Sequence, residues 1–225
     1  MGIVERKEKE RLARRNDVID AAEALFREKG FDHTTMDNIA KDAGFTKKTI
    51  YTFFSSKDEI YMEIMIRGFN ALNKLIDFKL DSRPIASSIK NIEHLGLAFV
   101  DFSMNYPYYY KAITDYENRE FDFNQSNQSK LIENCYIAGQ YSMERLQTFI
   151  NEGILNSEII SNVDPKIMAL VLWSSMTGLI NLVGRKEKYV VAYFNENTDV
   201  VLKQGLKLIL NSIIYKNVIA EVKGR

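Results

Sequence analysis

TTMDNIAKDAGFTKKTIYTFFSSK, residues 34–57, reads as two short helices joined by a tight turn. Thr34 or Thr35 stands where a helix needs an N-cap, and Asp37 and Asn38 follow three residues on, near the unpaired backbone donors of a first turn. Met36, Ile39, Ala40 and Ala43 then give the first helix an apolar face. Gly44 comes where a helix end calls for a left-handed residue, and Thr46 stands where a second cap starts the next helix. In that second helix Ile50, Phe53 and Phe54 fall three and four residues apart and face inward, which leaves Lys47, Lys48 and Tyr51 outside. Such an outer face suits a DNA groove, because lysines and hydroxyls at the start of a helix reach phosphates and base edges. Lys57, after Ser55 and Ser56, adds a further phosphate contact.

The run is longer than a bare helix-turn-helix. AAEALFREKGF (residues 21–31), TTMDNIAKDAGF (34–45), TKKTIYTFF (46–54) and SKDEIY (56–61) follow one another in the order and spacing of the tetracycline-repressor-like (TetR) family of bacterial transcription regulators, which this first quarter of the chain resembles. By that resemblance Thr35, Thr46, Lys47, Thr49, Tyr51 and Lys57 sit where family members contact DNA, mostly its backbone. Two positions depart from the family pattern. Lys48 stands where glycine is usual and adds a charge beside the base edges, while Phe53 replaces a histidine or tyrosine and removes a polar phosphate contact.

Upstream, ERKEKERLARR (residues 5–15) is a mixed charge run. It reads either as a solvated helical extension or as a basic arm in which Lys9, Arg11, Arg14 and Arg15 reach a phosphate or the minor groove. It leads into an amphipathic helix through Val18, Ala21, Ala22, Leu25 and Phe26 that Gly30 ends. Downstream, a long helix from Asp58 to about Leu80 carries Ile60, Met65, Phe69, Leu72, Ile76 and Phe78, and Asp81 to Pro84 form a linker. Further helices are expected over Ile85–Asn105, a short aromatic turn at Tyr106–Ile113, and Ser129–Glu152 with Gly153 as its stop, with residues 118–128 as a loop between the last two. Asp164 caps the next helix with Pro165 at its first position, and the last helix runs from about Asp199 to Ile219.

The fold class is therefore all-α. An N-terminal helix-turn-helix three-helix domain (residues 1–57) is joined by a connecting helix and linker (58–82) to a larger helical domain (83–225) for ligand binding and dimerisation. At 225 residues the chain has room for a well-buried core. Thirty basic residues balance thirty acidic ones, so affinity for nucleic acid must come from a local patch. Between Lys41 and Lys57 four lysines are set against Asp42 alone. A lone Cys135 excludes a disulfide framework and a cysteine-rich zinc site, and no cofactor is implied. The sequence shows no signal-peptide pattern and no apolar run of membrane-spanning length, so a soluble cytoplasmic protein is expected.

The last two helices are apolar on more than one side and need an outside partner. Ser174 and Gly178 would let another helix come close, and Leu206, Ile209 and Ile213 contribute from the last helix. The resemblance implies the same arrangement, a homodimer whose two reading heads lie about 34–36 Å apart on a palindromic operator. It also implies a small-molecule pocket among the middle helices. The candidates for its lining are Phe99, Phe102, Met104, Tyr109, Tyr110, Tyr136, Tyr141, Trp173 and Met176, a wall for a largely apolar effector. His94, Asp101, Asp115 and Arg145 are candidates for polar determinants. Two alternatives stand beside this ligand-responsive repressor. One is a dimeric DNA-binding regulator without small-molecule input; the other is an enzyme, disfavoured by two histidines in all and no phosphate loop or metal spacing.

Overall fold

The computed structural model describes residues 2–81, 87–117 and 129–215. Among them lie ten helices: α1 (Ile3–Lys29), α2 (Met36–Asp42), α3 (Lys47–Tyr51), α4 (Lys57–Asp81), α5 (Ser88–Asn105), α6 (Pro107–Glu117), α7 (Ser129–Leu155), α8 (Pro165–Arg185), α9 (Glu187–Phe194) and α10 (Thr198–Asn211). The fold is all-α, with a single isolated antiparallel bridge, Ile159 to Ile214, among the described residues. The chain gathers into two compact units, Met1–Asn70 with Tyr108–Ala138, and Ala71–Pro107 with Gly139–Arg225. This division differs from the linear boundaries at residues 57 and 82, since one unit border falls inside α4. The expected linker at Ser82–Pro84, the loop at 118–128 and the helix start at Ile85 lie outside the described residues.

In the first unit the amphipathic stretch of α1 buries Val18, Ile19, Ala22, Leu25 and Phe26. Ile39, Ile50, Phe54, Ile60 and Ile64 are buried in the same unit. Gly30 closes α1 at φ +83°, a conformation open to glycine at little cost, and its N–H donates to the Phe26 carbonyl at 3.0 Å. Phe26, Phe31 and Tyr61 pack as an aromatic triad with centroids 4.9–5.8 Å apart. The charge run is the start of α1 and is solvated.

In the second unit α10 lies against α8 and α5. Its buried face is Leu202, Leu206 and Leu210. A Cβ placed on Gly96 of α5 would come within 2.5 Å of the Leu206 side chain, so glycine permits this close approach. Glu158, just after α7, caps α5: its carboxylate accepts from Ser87 Oγ at 2.6 Å and from the N–H groups of Ser88 and Ile89 at 3.1 and 3.3 Å.

Several expectations are corrected. The second helix of the opening motif stops at Tyr51, not Phe54, with Thr52 as its C-cap. Phe54 still turns inward because its N–H donates to the Ile50 carbonyl at 3.0 Å. Gly153 does not end α7. It is buried inside the helix against Ile159, and the chain turns at Ser157, φ +59°. The last helix ends at Asn211, and α9 had no counterpart in the sequence reading. Phe78 is 72% exposed, off the buried side of α4. Finally, α8 is long and apolar enough to cross a membrane by length and composition, contrary to expectation. Met168, Leu172, Met176, Ile180 and Val183 are packed into its own unit. Ile167, Leu170, Val171, Ser174, Gly178 and Leu182 form an exposed stripe.

Candidate nucleic-acid interface and effector region

The α2–turn–α3 segment is held by reciprocal caps. Thr35 accepts from the Asn38 N–H at 3.2 Å, and the Asn38 side chain accepts from the Thr35 N–H at 3.0 Å. Thr34, the other cap candidate, is buried and donates to the Gly30 carbonyl at 2.8 Å. Gly44 takes φ +71°, and the next N–H, of Phe45, donates to the Ala40 carbonyl at 2.9 Å. Thr46 accepts from the Thr49 N–H at 3.2 Å, and the two threonine hydroxyls meet at 2.9 Å. Ile50, fully buried, anchors α3 from beneath. Ser56 receives the Glu59 N–H at 3.3 Å as α4 begins.

These contacts fix which side of α3 faces out. Lys47, Lys48 and Tyr51 are exposed there. Lys47 is paired with Asp37 at 2.9 Å, and the hydrogen bond to that carboxylate raises the pKa of the ammonium, keeping it charged. Among the described residues Lys48, the departure from the family pattern, forms no ion pair and is a cation free to meet a phosphate. Lys57 turns the other way, donating to the Phe31 carbonyl at 2.6 Å with its ammonium 4.1 Å from the Phe31 ring centre. Asp37 lies outside the 41–57 window, so the patch is weaker than four lysines against one aspartate. The basic arm is similarly occupied: Arg11 pairs with Glu8, Arg14 with Glu10, and Arg15 with Glu63 over the Phe54 ring.

The residues expected to form the effector wall are divided between the two units. Tyr109, Tyr110 and Tyr136 belong to the first unit and Phe99, Phe102, Tyr141, Trp173 and Met176 to the second. Tyr109 donates to Glu23 at 3.1 Å, and Glu23 also pairs with Arg27 and Arg67. Burial raises the Tyr109 phenol pKa, with the Glu23 charge adding to it. Tyr110 is buried and Tyr136 is exposed. Tyr141 donates to Asp77, and that bond raises its pKa. Phe99, Trp173 and Met176 do come together, lining an apolar cleft with about 30 Å³ of open space; the Phe99 and Trp173 rings lie 4.5 Å apart. Phe102 is buried against Tyr106, and Met104 is 49% exposed. Of the polar candidates, Asp101 pairs with Lys79 at 2.7 Å, Asp115 with Lys111, and Arg145 approaches Asp77 at 3.9 Å.

Of the interface candidates, Ser174 and Gly178 lie on the exposed stripe of α8, and a Cβ on Gly178 would meet nothing within 4 Å. Leu206 and Ile213 are instead buried within their own chain, and Ile209 is half-buried.

Residues 18–64, which span α2, the turn and α3, match the family model described as bacterial regulatory proteins, tetR family. This N-terminal segment is similar to the DNA-binding region of the tetR family. One relative is the uncharacterized HTH-type transcriptional regulator YfiR of Bacillus subtilis, 28% identical over 78 residues, covering 35% of this chain and 38% of that protein. Another is IcaR of Staphylococcus epidermidis, the negative transcriptional regulator of the icaADBC biofilm operon, 34% identical over 86 residues, 38% of this chain and 45% of that one. The chain thus aligns with less than half the length of these curated relatives. Its fold is similar to that of SmeT, the repressor of the Stenotrophomonas maltophilia multidrug efflux pump SmeDEF, with TM-score 0.65 and 18% identity over 91% of this chain and 92% of SmeT. SmeT is also known in complex with triclosan (TM-score 0.62, 19% identity, 92% and 94% covered). Each of these proteins is named as a regulator or repressor.

Proposed function

We propose that this protein is a cytoplasmic, homodimeric transcriptional repressor of the tetR family that reads a palindromic operator through α3 and is released by a largely apolar small molecule. The observation that carries the reading is the outward side of α3. It is capped at Thr46, pinned by Ile50 and exposed at Lys48 and Tyr51. A helix held that firmly with its polar side uncovered is pre-organised for a major groove, with Thr35, Thr46, Lys47, Lys48, Thr49 and Tyr51 as its contacts. Lys57 joins them only by leaving the Phe31 carbonyl. The α8 stripe supplies the dimer contact, its small residues Ser174 and Gly178 at the centre and larger ones at both ends. A two-fold pair would set two copies of α3 about 34–36 Å apart.

The effector half of the proposal rests on the Phe99–Trp173–Met176 cleft and on the triclosan complex of SmeT. A cleft of about 30 Å³ holds a water-sized body, whereas ligand pockets run to about 300–1,000 Å³. That tight packing favours a second reading, a dimeric DNA-binding regulator with no small-molecule input. Selection of binding sequences from random duplex DNA, repeated with and without apolar aromatic compounds, separates the two. The proposal expects enrichment of a two-fold symmetric sequence and its loss when an effector binds. Enrichment that no compound reduces would leave the second reading, and absence of any enriched sequence would refute both.

A further inference from the structure

Lys57 opens α4, and the two ends of the α2–turn–α3 segment meet at its ammonium. The chain enters α2 from the turn that begins at Phe31 and leaves α3 through residues 52–56. Lys57 Nζ donates to the Phe31 carbonyl, 26 residues back, at 2.6 Å, so one bond closes a loop that contains the whole helix-turn-helix. The contact has a second component, since the ammonium also lies 4.1 Å from the centre of the Phe31 ring. Tyr61, four residues on along α4, meets the same ring edge-on at 4.9 Å, so neighbouring side chains on one face of α4 grip Phe31 together.

Holding Phe31 fixes where α2 begins. Its carbonyl also accepts from the Thr34 N–H at 3.3 Å, Thr34 is bound through its hydroxyl to the Gly30 carbonyl at 2.8 Å, and the next residue, Thr35, caps α2. The exit from α3 is tied to the same first turn of α4, because the Ser55 N–H and hydroxyl both donate to the Glu59 carboxylate, at 2.6 and 2.5 Å. Exposure sets Lys57 apart from the other lysines of the segment: Lys41, Lys47 and Lys48 are exposed, and Lys57 is half-buried. To reach a phosphate it would have to give up both the carbonyl and the ring, an exchange that exposed Lys48 does not face.

We propose that Lys57 is a positioning residue and not a DNA contact: it clasps the entry to α2 to the exit from α3, sets the pose in which α3 meets the duplex, and stays on Phe31 when DNA binds. The inference rests on the reading of α3 as a DNA-binding helix, and it departs from the phosphate contact that the family resemblance implies at this position. Order that the clasp supplies in the free protein does not have to be supplied on binding, so its loss weakens DNA affinity without removing a charge from the contact surface.

Two measurements on the full chain test it. In the first, NMR follows the Lys57 ε-methylene protons of the unsubstituted chain, which adjoin the ammonium over the Phe31 ring. They should resonate upfield of a solvated lysine and stay there when the selected duplex is added. No upfield shift in the free chain, or its loss on DNA binding, overturns the proposal. In the second, fluorescence anisotropy measures duplex affinity across a range of salt for Lys57→Met, which keeps the aliphatic stem without the donors, and for Lys57→Arg, which can still donate to the carbonyl. Lys57→Met should bind about tenfold more weakly at every salt concentration, with its log–log slope parallel to that of the unsubstituted chain, and Lys57→Arg should recover most of the affinity. A slope shallower by about 0.9 per subunit makes Lys57 a phosphate contact and overturns the proposal. A lowered melting temperature with unchanged affinity of the folded Lys57→Met chain makes Lys57 a prop of the fold alone and overturns it too. A chain that selects no duplex removes the DNA-binding reading and this proposal with it, whereas the other failures leave that reading standing.

Discussion

Replacing Lys48 by alanine should change how DNA affinity responds to salt while leaving the fold intact. Lys48 is exposed on α3 and forms no ion pair among the described residues, so its loss breaks no contact within the chain and the melting temperature should stay within about 1 °C. In a dimer two such cations are lost. Each phosphate neutralised releases about 0.9 counterion from B-DNA, so the slope of log affinity against log salt should become shallower by about 1.8. Between 50 and 200 mM salt, a fourfold range, that difference makes the affinity lost at the lower concentration about 12-fold greater than at the higher. Fluorescence anisotropy with a labelled selected duplex across that range measures both slopes. Parallel lines for Lys48→Ala and the unsubstituted chain would mean that Lys48 touches no phosphate and that α3 is misassigned or differently oriented.

Asp37→Asn should act in the opposite direction: it frees Lys47 and removes an anion beside the groove, steepening the salt slope and tightening binding, at a cost of less than about 1 kcal/mol for the lost charge in the first turn of α2. Tighter binding is read in the same titration, and unchanged affinity would place Lys47 away from DNA. Glu158 supports an acid-sensitive stability. Desolvation raises its pKa, but the hydrogen bonds from Ser87, Ser88 and Ile89 outweigh this and lower it overall. A lowered folded value means the contribution is complete above the unfolded pKa and is lost as pH falls through the folded one. Thus Glu158→Gln should cost about 1 kcal/mol, roughly 2–4 °C, near neutral pH. The difference from the unsubstituted chain should close in thermal melts as pH falls through the lowered folded pKa of Glu158. Gly178→Arg, at an open position of α8, should leave helix content unchanged and yield a monomer by sedimentation; a dimer of normal affinity would exclude the α8 stripe from the interface.

The helix-turn-helix segment was legible because its rules are local. Caps at Thr35 and Thr46 and the left-handed Gly44 depend on neighbours three or four residues away, and each stands where the sequence placed it. What the sequence hid is non-local. The Lys47–Asp37 pair spans ten residues and the Arg15–Glu63 pair 48, so neither the weakening of the basic patch nor the inward turn of Arg15 follows from spacing. Helix α10 has apolar residues on more than one side, and only packing decides that Leu206 goes inward against Gly96 while Leu208 stays 72% exposed. Gly153 looked like a stop because glycine often follows a helix, but here it admits the Ile159 side chain. The tyrosine cluster is close in sequence, yet Tyr109 and Tyr141 hold different carboxylates, Glu23 and Asp77, in different units.

The claim that α3 enters the DNA groove is most directly tested by placing a photoreactive phenylalanine analogue at Tyr51 and irradiating the protein with its selected duplex. The account predicts a protein–DNA crosslink from position 51 that excess unlabelled duplex of the same sequence abolishes, and none from the same analogue at the exposed Lys207 of α10. A duplex bound with normal affinity that crosslinks equally from both positions, or from Lys207 alone, would contradict it.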